Sequence, residues 1–253
     1  MEAATPFTTE NVALVFFAAL LTALATGLGV LPLRLRTFAR PDVVALGGAA
    51  AAGLMLGASW ALTVEAVDHD VLLTVVGALV GAAFVQVAFS TLHRRDDLSV
   101  GALVGADARR ALLVVGVMTA HSFAEGVGVG VSFGGGEALG VFITTAIAIH
   151  NIPEGLAIGL VLVPRGVGLL RAAGWSVFSS LPQPLVAVPA FAVVALAAVW
   201  LPFGLGLAAG AMVWLCVVDL LPEAVADSTR GRVAATTAAA AAAMLLMQTF
   251  IPT

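Results

Sequence analysis

Two stretches of this chain place an imidazole and a carboxylate four residues apart inside apolar sequence. His150-Asn151-Ile152-Pro153-Glu154-Gly155 lies in the run from Ala138 to Val163, and His121-Ser122-Phe123-Ala124-Glu125-Gly126 lies in the run before it. Both read His-x-x-x-Glu-Gly-x-x-x-Gly. On a helix, an i,i+4 spacing puts the two polar groups of each stretch on one face. A carboxylate at bilayer depth costs about 3 kcal/mol on the insertion scale. Neither stretch holds an Arg or Lys to pair with it. Two His and two Glu converging from facing helices would make a divalent-cation site. Imidazole and carboxylate suit Zn²⁺, Fe²⁺ and neighbouring first-row metals, and two ionised glutamates balance one 2+ ion. For a single residue, a packing histidine or a protonated glutamate serves equally well. The duplicated pattern favours the site.

The elements that must position these groups are membrane helices. Of 253 residues, 61% are hydrophobic and 10% are charged, against roughly 25% charged in a soluble domain. Apolar runs of the ~20 residues needed to cross a bilayer recur throughout. The expected fold is an all-α polytopic membrane protein forming a single transmembrane domain over residues 1–253. Its eight transmembrane helices are expected at about 11–31, 42–66, 71–92, 110–133, 138–163, 167–196, 202–222 and 232–251. Pro32, Pro41, Pro164, Pro202 and Pro252 sit at or near these limits.

All eleven basic residues are Arg. Arg34, Arg36, Arg40, Arg94, Arg95, Arg109, Arg110, Arg165, Arg171, Arg230 and Arg232 all fall in or beside odd-numbered loops. By the positive-inside rule those loops are cytoplasmic and both termini face outside. The expected location is the plasma membrane, multi-pass and surrounded by the lipid bilayer. The loop at about 93–109 is the longest, and is either a metal-handling or regulatory segment or a solvated connector.

An internal repeat is visible. Ala51-Ala52-Gly53-Leu54-Met55 followed by Glu65-Ala66-Val67-Asp68 resembles Ala208-Ala209-Gly210-Ala211-Met212 followed by Glu223-Ala224-Val225-Ala226-Asp227. The copies run in opposite directions, as do the two His/Glu stretches. This predicts an inverted repeat of spans 1–3 and 6–8 around a central 4/5 pair, with a site near the midplane. Pro153 is expected to free the carbonyl of Ile149, and Gly126, Gly128, Gly130, Gly155 and Gly159 to permit close helix approach and some irregularity.

Several classes are excluded or weakened. There is no basic cluster for nucleic acid. The start, Met1-Glu2-Ala3-Ala4, lacks a basic signal-peptide region, and the lone Cys216 forms no intramolecular disulfide. An intramembrane metalloprotease would need His-Glu-x-x-His on one helix, which is absent. Haem iron ligated by His121 and His150 would need no carboxylate one turn from each. A proton or monovalent-cation pathway through the glutamates is the better alternative.

The residues His150-Asn151-Ile152-Pro153-Glu154-Gly155-Leu156-Ala157 resemble the signature of the Zrt/Irt-like (ZIP) metal-ion transporters, prokaryotic type. The His121 stretch is similar to that family's preceding signature helix. Ser179-Ser180-Leu181-Pro182-Gln183-Pro184 stands where a third motif usually reads Ser-Gly-x-x-Glu-Pro, and Ala209-Gly210-Ala211-Met212 and Leu221-Pro222-Glu223-Ala224 extend the likeness.

The resemblance implies transport of divalent metals toward the cytoplasm, Zn²⁺ foremost and Cd²⁺, Fe²⁺ or Mn²⁺ as further substrates. It implies no prosthetic group and no enzymatic reaction, and leaves a homodimer open. It implies a primary metal site of His121, Glu125, His150 and Glu154. Some members add a second site, whose extra ligands would fall on Asn151, Gln183 and Ser122. Here Ser122 replaces a usual Asn, Ala124 a common Pro and Gln183 a usual Glu. With only Glu125 and Glu154 to supply charge, one ion is balanced and a second leaves +2 in a low dielectric. One well-occupied site is expected. Glu65, Asp68, His69 and Asp70 could collect cations at the outer end of span 2 or form a polar loop. Asp219 and Glu223 could line an exit route or serve as interfacial polar groups.

Overall fold

The computed structural model describes residues 5–35, 40–93 and 106–248. Among these residues ten α-helices follow one another: α1 Thr9–Leu28, α2 Pro41–His69, α3 Val71–His93, α4 Ala106–Gly135, α5 Glu137–Leu162, α6 Leu169–Ser180, α7 Pro182–Leu196, α8 Leu201–Leu215, α9 Leu221–Asp227 and α10 Arg230–Gln248. No strand occurs among the described residues.

Among those residues, seven stretches are long and apolar enough to cross a membrane: Thr9–Arg34, Pro41–His69, Val71–Leu92, Ala111–Gly135, Glu137–Arg165, Leu169–Leu196 and Ala198–Asp227. They coincide with the first seven expected spans. The eighth expected span falls on α10, an alanine-rich helix that begins with Arg230 and Arg232 and lies along α2. It stands outside the set of seven, and residues 249–251 of that expectation lie outside the described residues. So do residues 94–105 of the expected loop. Residues 106–109, also assigned to that loop, are helical and open α4.

Two spans are irregular where continuous helix was expected. Span 6 is two helices, α6 and α7, divided at Leu181. Pro182 follows directly, and proline starts a helix more readily than it continues one. Span 7 passes from α8 through a π-helical segment, Cys216–Leu220, into α9. Pro222 in the first turn of α9 removes a donor there. By contrast α5 runs unbroken through Pro153. Proline has no N–H, so the Ile149 carbonyl lacks its usual helical donor although the helix continues.

Small residues let the helices touch at backbone distance, which drives association where lipid offers no hydrophobic gain. A Cβ on Gly155 of α5 would overlap the Thr26 carbonyl oxygen of α1, and one on Gly29 of α1 would overlap Ile152 of α5. On α4, Gly130 and Gly126 meet the Ala187 and Gln183 backbone of α7 in the same way. α3 and α8 cross through Gly77, Gly81, Gly206 and Gly210, and α2 meets α10 through Gly53 and Gly57. Gly136 joins α4 to α5 with φ 155° and ψ 152°, a conformation essentially reserved for glycine. This single-residue joint makes the two helices adjacent and antiparallel.

Buried Phe133, Phe142, Ile143 and Ile147 pack between the halves of α4 and α5 nearest that joint. At the opposite end lies a cavity of about 570 Å³ lined by residues of α2, α3, α4, α5, the π-helical segment and α9. Its lining brings together Pro41, Arg165 and Asp227, so the start of α2 and the ends of α5 and α9 share one end of the bundle.

Gly155→Val is expected to force α1 away from α5 and cost about 3 kcal/mol by overpacking. Gly48→Ala, which meets open space, is expected to change stability by no more than about 1 kcal/mol. Unfolding midpoints of the purified variants in detergent check both.

Candidate metal centre

The i,i+4 spacing on α4 and α5 works as the sequence predicts. The Gly136 joint sets the two helices side by side, and His121, Glu125, His150 and Glu154 turn toward one another. Each can offer one ligand atom such that all four lie within 4.8 Å of one another, and all four residues are buried. His150 Nε2 lies 2.7 Å from Glu125 Oε1. His121 Nε2 lies 3.5 Å from Glu125 Oε1 and 3.4 Å from Glu154 Oε1. It bridges the two carboxylates without forming a hydrogen bond to either.

Around this core runs a second layer drawn from two further helices. Gln183 sits at the start of α7, just past the break at Leu181, and its Nε2 donates to Glu125 Oε2 at 2.6 Å. Its side-chain oxygen accepts from the Thr22 hydroxyl of α1 and faces Asn151 Nδ2 at 3.4 Å. Asn151 Nδ2 also donates to the Thr22 carbonyl oxygen at 2.9 Å. Outside this layer, one turn along α1, Thr26 pairs with Ser180 of α6 at 2.8 Å. The two glycines that follow the glutamates make this layer reachable. Gly126 brings the Gln183 backbone against α4, and Gly155 brings α1 against α5.

The cluster retains unused ligand capacity. His121 Nε2, Glu154 Oε1, Asn151 Oδ1 and Ser122 Oγ are buried with no hydrogen-bond partner. A buried polar atom left unpaired costs about 1–3 kcal/mol. Imidazole nitrogen and carboxylate oxygen are the donors that first-row divalent ions take, so the donor set fits such an ion.

The structure brings together His121, Glu125, His150 and Glu154 in the core, with Asn151 and Gln183 beside it, while Ser122, next to His121 on α4, is buried without a hydrogen-bond partner. Asn151 and Gln183 direct their NH₂ ends into the protein network. Other expected groups are elsewhere. Glu65, Asp68 and His69 occupy the last turns of α2 rather than a loop, with His69 Nε2 3.4 Å from Glu65 Oε1. Asp70 caps α3 by accepting from the Leu73 amide at 2.8 Å. Asp219 and Glu223 line the cavity with Asp227 and Arg165. Its lining also includes Met118 and Pro153, close in sequence to His121 and Glu154, so the cavity borders the centre. Sequence reasoning missed Thr22. Its signal was there: Thr22 and Thr26 repeat the four-residue spacing within an apolar helix.

Comparison with known proteins agrees with this geometry. The profile of the ZIP zinc transporter family matches residues 86–248, which include α4, α5 and Gln183. The chain is 33% identical over 223 residues to the zinc transporter GufA of Myxococcus xanthus, covering 81% of this chain and 86% of that protein. It is 43% identical over 228 residues to a protein of Arabidopsis thaliana named for zinc transport, covering 89% of this chain but 37% of the relative. Human zinc transporter ZIP11 is 40% identical over 145 residues, with 52% of this chain and 40% of that protein covered. The chain therefore spans less than half the length of the last two. With the matched segment reaching from α3 to α10, and most of GufA aligned, this multi-pass membrane protein belongs to the ZIP zinc transporter family.

Proposed function

We propose that this chain moves divalent transition-metal ions, zinc foremost, across a membrane toward the cytoplasm. Four buried ligand atoms from two antiparallel helices, all within 4.8 Å, carry the reading. His121, Glu125, His150 and Glu154 ligate the ion. The two carboxylates cancel its charge, so that it can leave water without a large Born cost. The names of the relatives point the same way. A proton or monovalent-cation pathway would use the glutamates but has no need of two imidazoles beside them, and the comparisons lend it no support.

Direction and topology follow from the arginines and the cavity. Arg34, Arg40, Arg165, Arg171 and Arg230 lie at helix ends on the side of the cavity mouth. The positive-inside rule makes that side cytoplasmic, with both termini outside and α10 serving as the eighth span. The apolar packing of Phe133, Phe142, Ile143 and Ile147 closes the other side. Such a conformer faces inward, and Asp219, Glu223 and Asp227 line the route by which the ion leaves. An inverted repeat accounts for the packing. α3 lies against α8 as α10 lies against α2, and α4 against α7 as α1 against α5. Exchanging spans 1–3 with 6–8, and 4 with 5, turns each pair into the other. A plasma-membrane location fits this reading.

One ion is the expected load. Gln183 turns its NH₂ group to Glu125, and among the described residues no third carboxylate joins the cluster.

The direct test is flux of Zn²⁺, Cd²⁺, Fe²⁺ and Mn²⁺ into proteoliposomes holding the purified protein. His150→Ala with Glu154→Ala is expected to lower Zn²⁺ uptake by about 100-fold or more, the scale of losing a metal's ligands. Unchanged divalent flux would remove the assignment. In the same preparation, Gln183→Glu is expected to raise bound Zn²⁺ from one ion toward two per chain by elemental analysis, because a third carboxylate reduces the uncompensated charge.

A further inference from the structure

The Thr22 hydroxyl has more acceptors than protons. Its Oγ1 lies 2.7 Å from the Ala19 carbonyl oxygen in its own helix and is also in hydrogen-bond contact with the Gln183 side-chain oxygen on α7. A hydroxyl has one proton and two lone pairs, so it donates to one of these oxygens at a time. Both side chains are completely buried, and their partners are protein atoms.

Two self-consistent arrangements follow. When Thr22 donates to Gln183, the carboxamide oxygen is held toward α1 and the NH₂ end reaches Glu125 Oε2 at 2.6 Å. When Thr22 donates to Ala19, a lone pair faces Gln183. The carboxamide, turned over, then donates NH₂ to Thr22 and presents its carbonyl oxygen to the centre. Oxygen and NH₂ are close to isosteric, so this turn needs no extra room. A divalent cation at the centre repels the NH₂ dipole and attracts the carbonyl, and so selects the second arrangement.

We propose that Thr22 is a positioning residue for the metal centre. It lets Gln183 face the centre with NH₂ while Glu125 lacks a cation, and with its carbonyl oxygen when a divalent cation is present. The inference rests on the reading of the His/Glu cluster as a divalent-metal site.

Removing the hydroxyl has a definite sign. In the first arrangement the Gln183 oxygen still has Asn151 Nδ2 at 3.4 Å as a donor. In the second, the NH₂ group would meet a valine methyl and another NH₂ group, with no acceptor. Thr22→Val therefore penalises the cation-facing arrangement more than the ion-free one.

Zn²⁺ binding to the purified full chain by titration calorimetry, and KM and kcat for Zn²⁺ flux in proteoliposomes, test this. Thr22→Val is expected to raise the dissociation constant and KM about tenfold, the scale of a buried donor left unpaired, with kcat changed less than twofold. Thr22→Ser restores both to within twofold. In a Gln183→Leu background, Thr22→Val adds less than twofold. Thr26→Val, which breaks a neighbouring α1–α6 hydrogen bond, leaves binding within twofold. Unaltered binding in Thr22→Val overturns the inference, as does a full tenfold effect without Gln183 or an equal loss in Thr26→Val. Wild-type protein that binds no Zn²⁺ defeats the underlying metal-site reading, and this inference with it. Wild-type binding with an inert Thr22→Val defeats the inference alone.

Discussion

Two carboxylates facing each other in a membrane interior are the constraint on which this structure depends. Glu125 is completely buried and Glu154 is 2% exposed. Left ionised and unpaired, they would repel across a few ångströms in a low dielectric, where Coulomb energies are many times those in water. The surrounding residues relieve this with hydrogen bonds and a nearby imidazole. His150 and Gln183 each engage one oxygen of Glu125, and His121 stands between the two acids. A divalent cation at this centre would complete the neutralisation.

The backbone serves the same constraint. Donors to Glu125 come from helices that must approach to within side-chain reach, and the glycine after each glutamate supplies that reach. Gly126 admits the start of α7, which brings Gln183. Gly155 admits α1, which brings Thr22. The repeated Glu-Gly step is therefore one device used twice: a carboxylate followed by the opening through which its supporting helix enters. A side chain at either glycine would separate the helices and leave buried polar groups without partners.

Much of this was legible in sequence because the signals are large. His and Glu are costly in membrane spans, so two copies at helical spacing identified both the face and the pairing of α4 and α5. Apolar length located seven spans, and the arginines located one end of the bundle. The break at Leu181 and the π segment at Cys216–Leu220 were less visible. A hydropathy pattern registers burial in lipid and not the local hydrogen-bond register, and Pro182 and Pro222 are compatible with either a helix start or a kink. Pro153 sits inside an unbroken α5, where its missing N–H leaves the Ile149 carbonyl without the usual helical donor. Thr22 was missed since a threonine in a membrane helix ordinarily bonds its own backbone carbonyl. Its second acceptor, Gln183, lies far along the chain and comes within reach only through the packing of α1 against α7.

A transport centre must also let its ion go, and the network around Glu125 bears on this. Each hydrogen bond that satisfies the empty site must be given up or rearranged when an ion enters, so binding energy is reduced by what the empty state already holds. His150 and Gln183 are such competitors, since the atoms they engage are atoms an ion would use. His121 Nε2 and Glu154 Oε1 are not, being unpartnered in the empty site. The two glutamates are therefore unequal. The Glu154 side is open to the arriving ion, and the Glu125 side must exchange partners to close around it. Met118, three residues before His121, and Pro153, beside Glu154, both line the cavity that Arg165 also lines, so the two unpartnered atoms belong to the two residues whose sequence neighbours border that space.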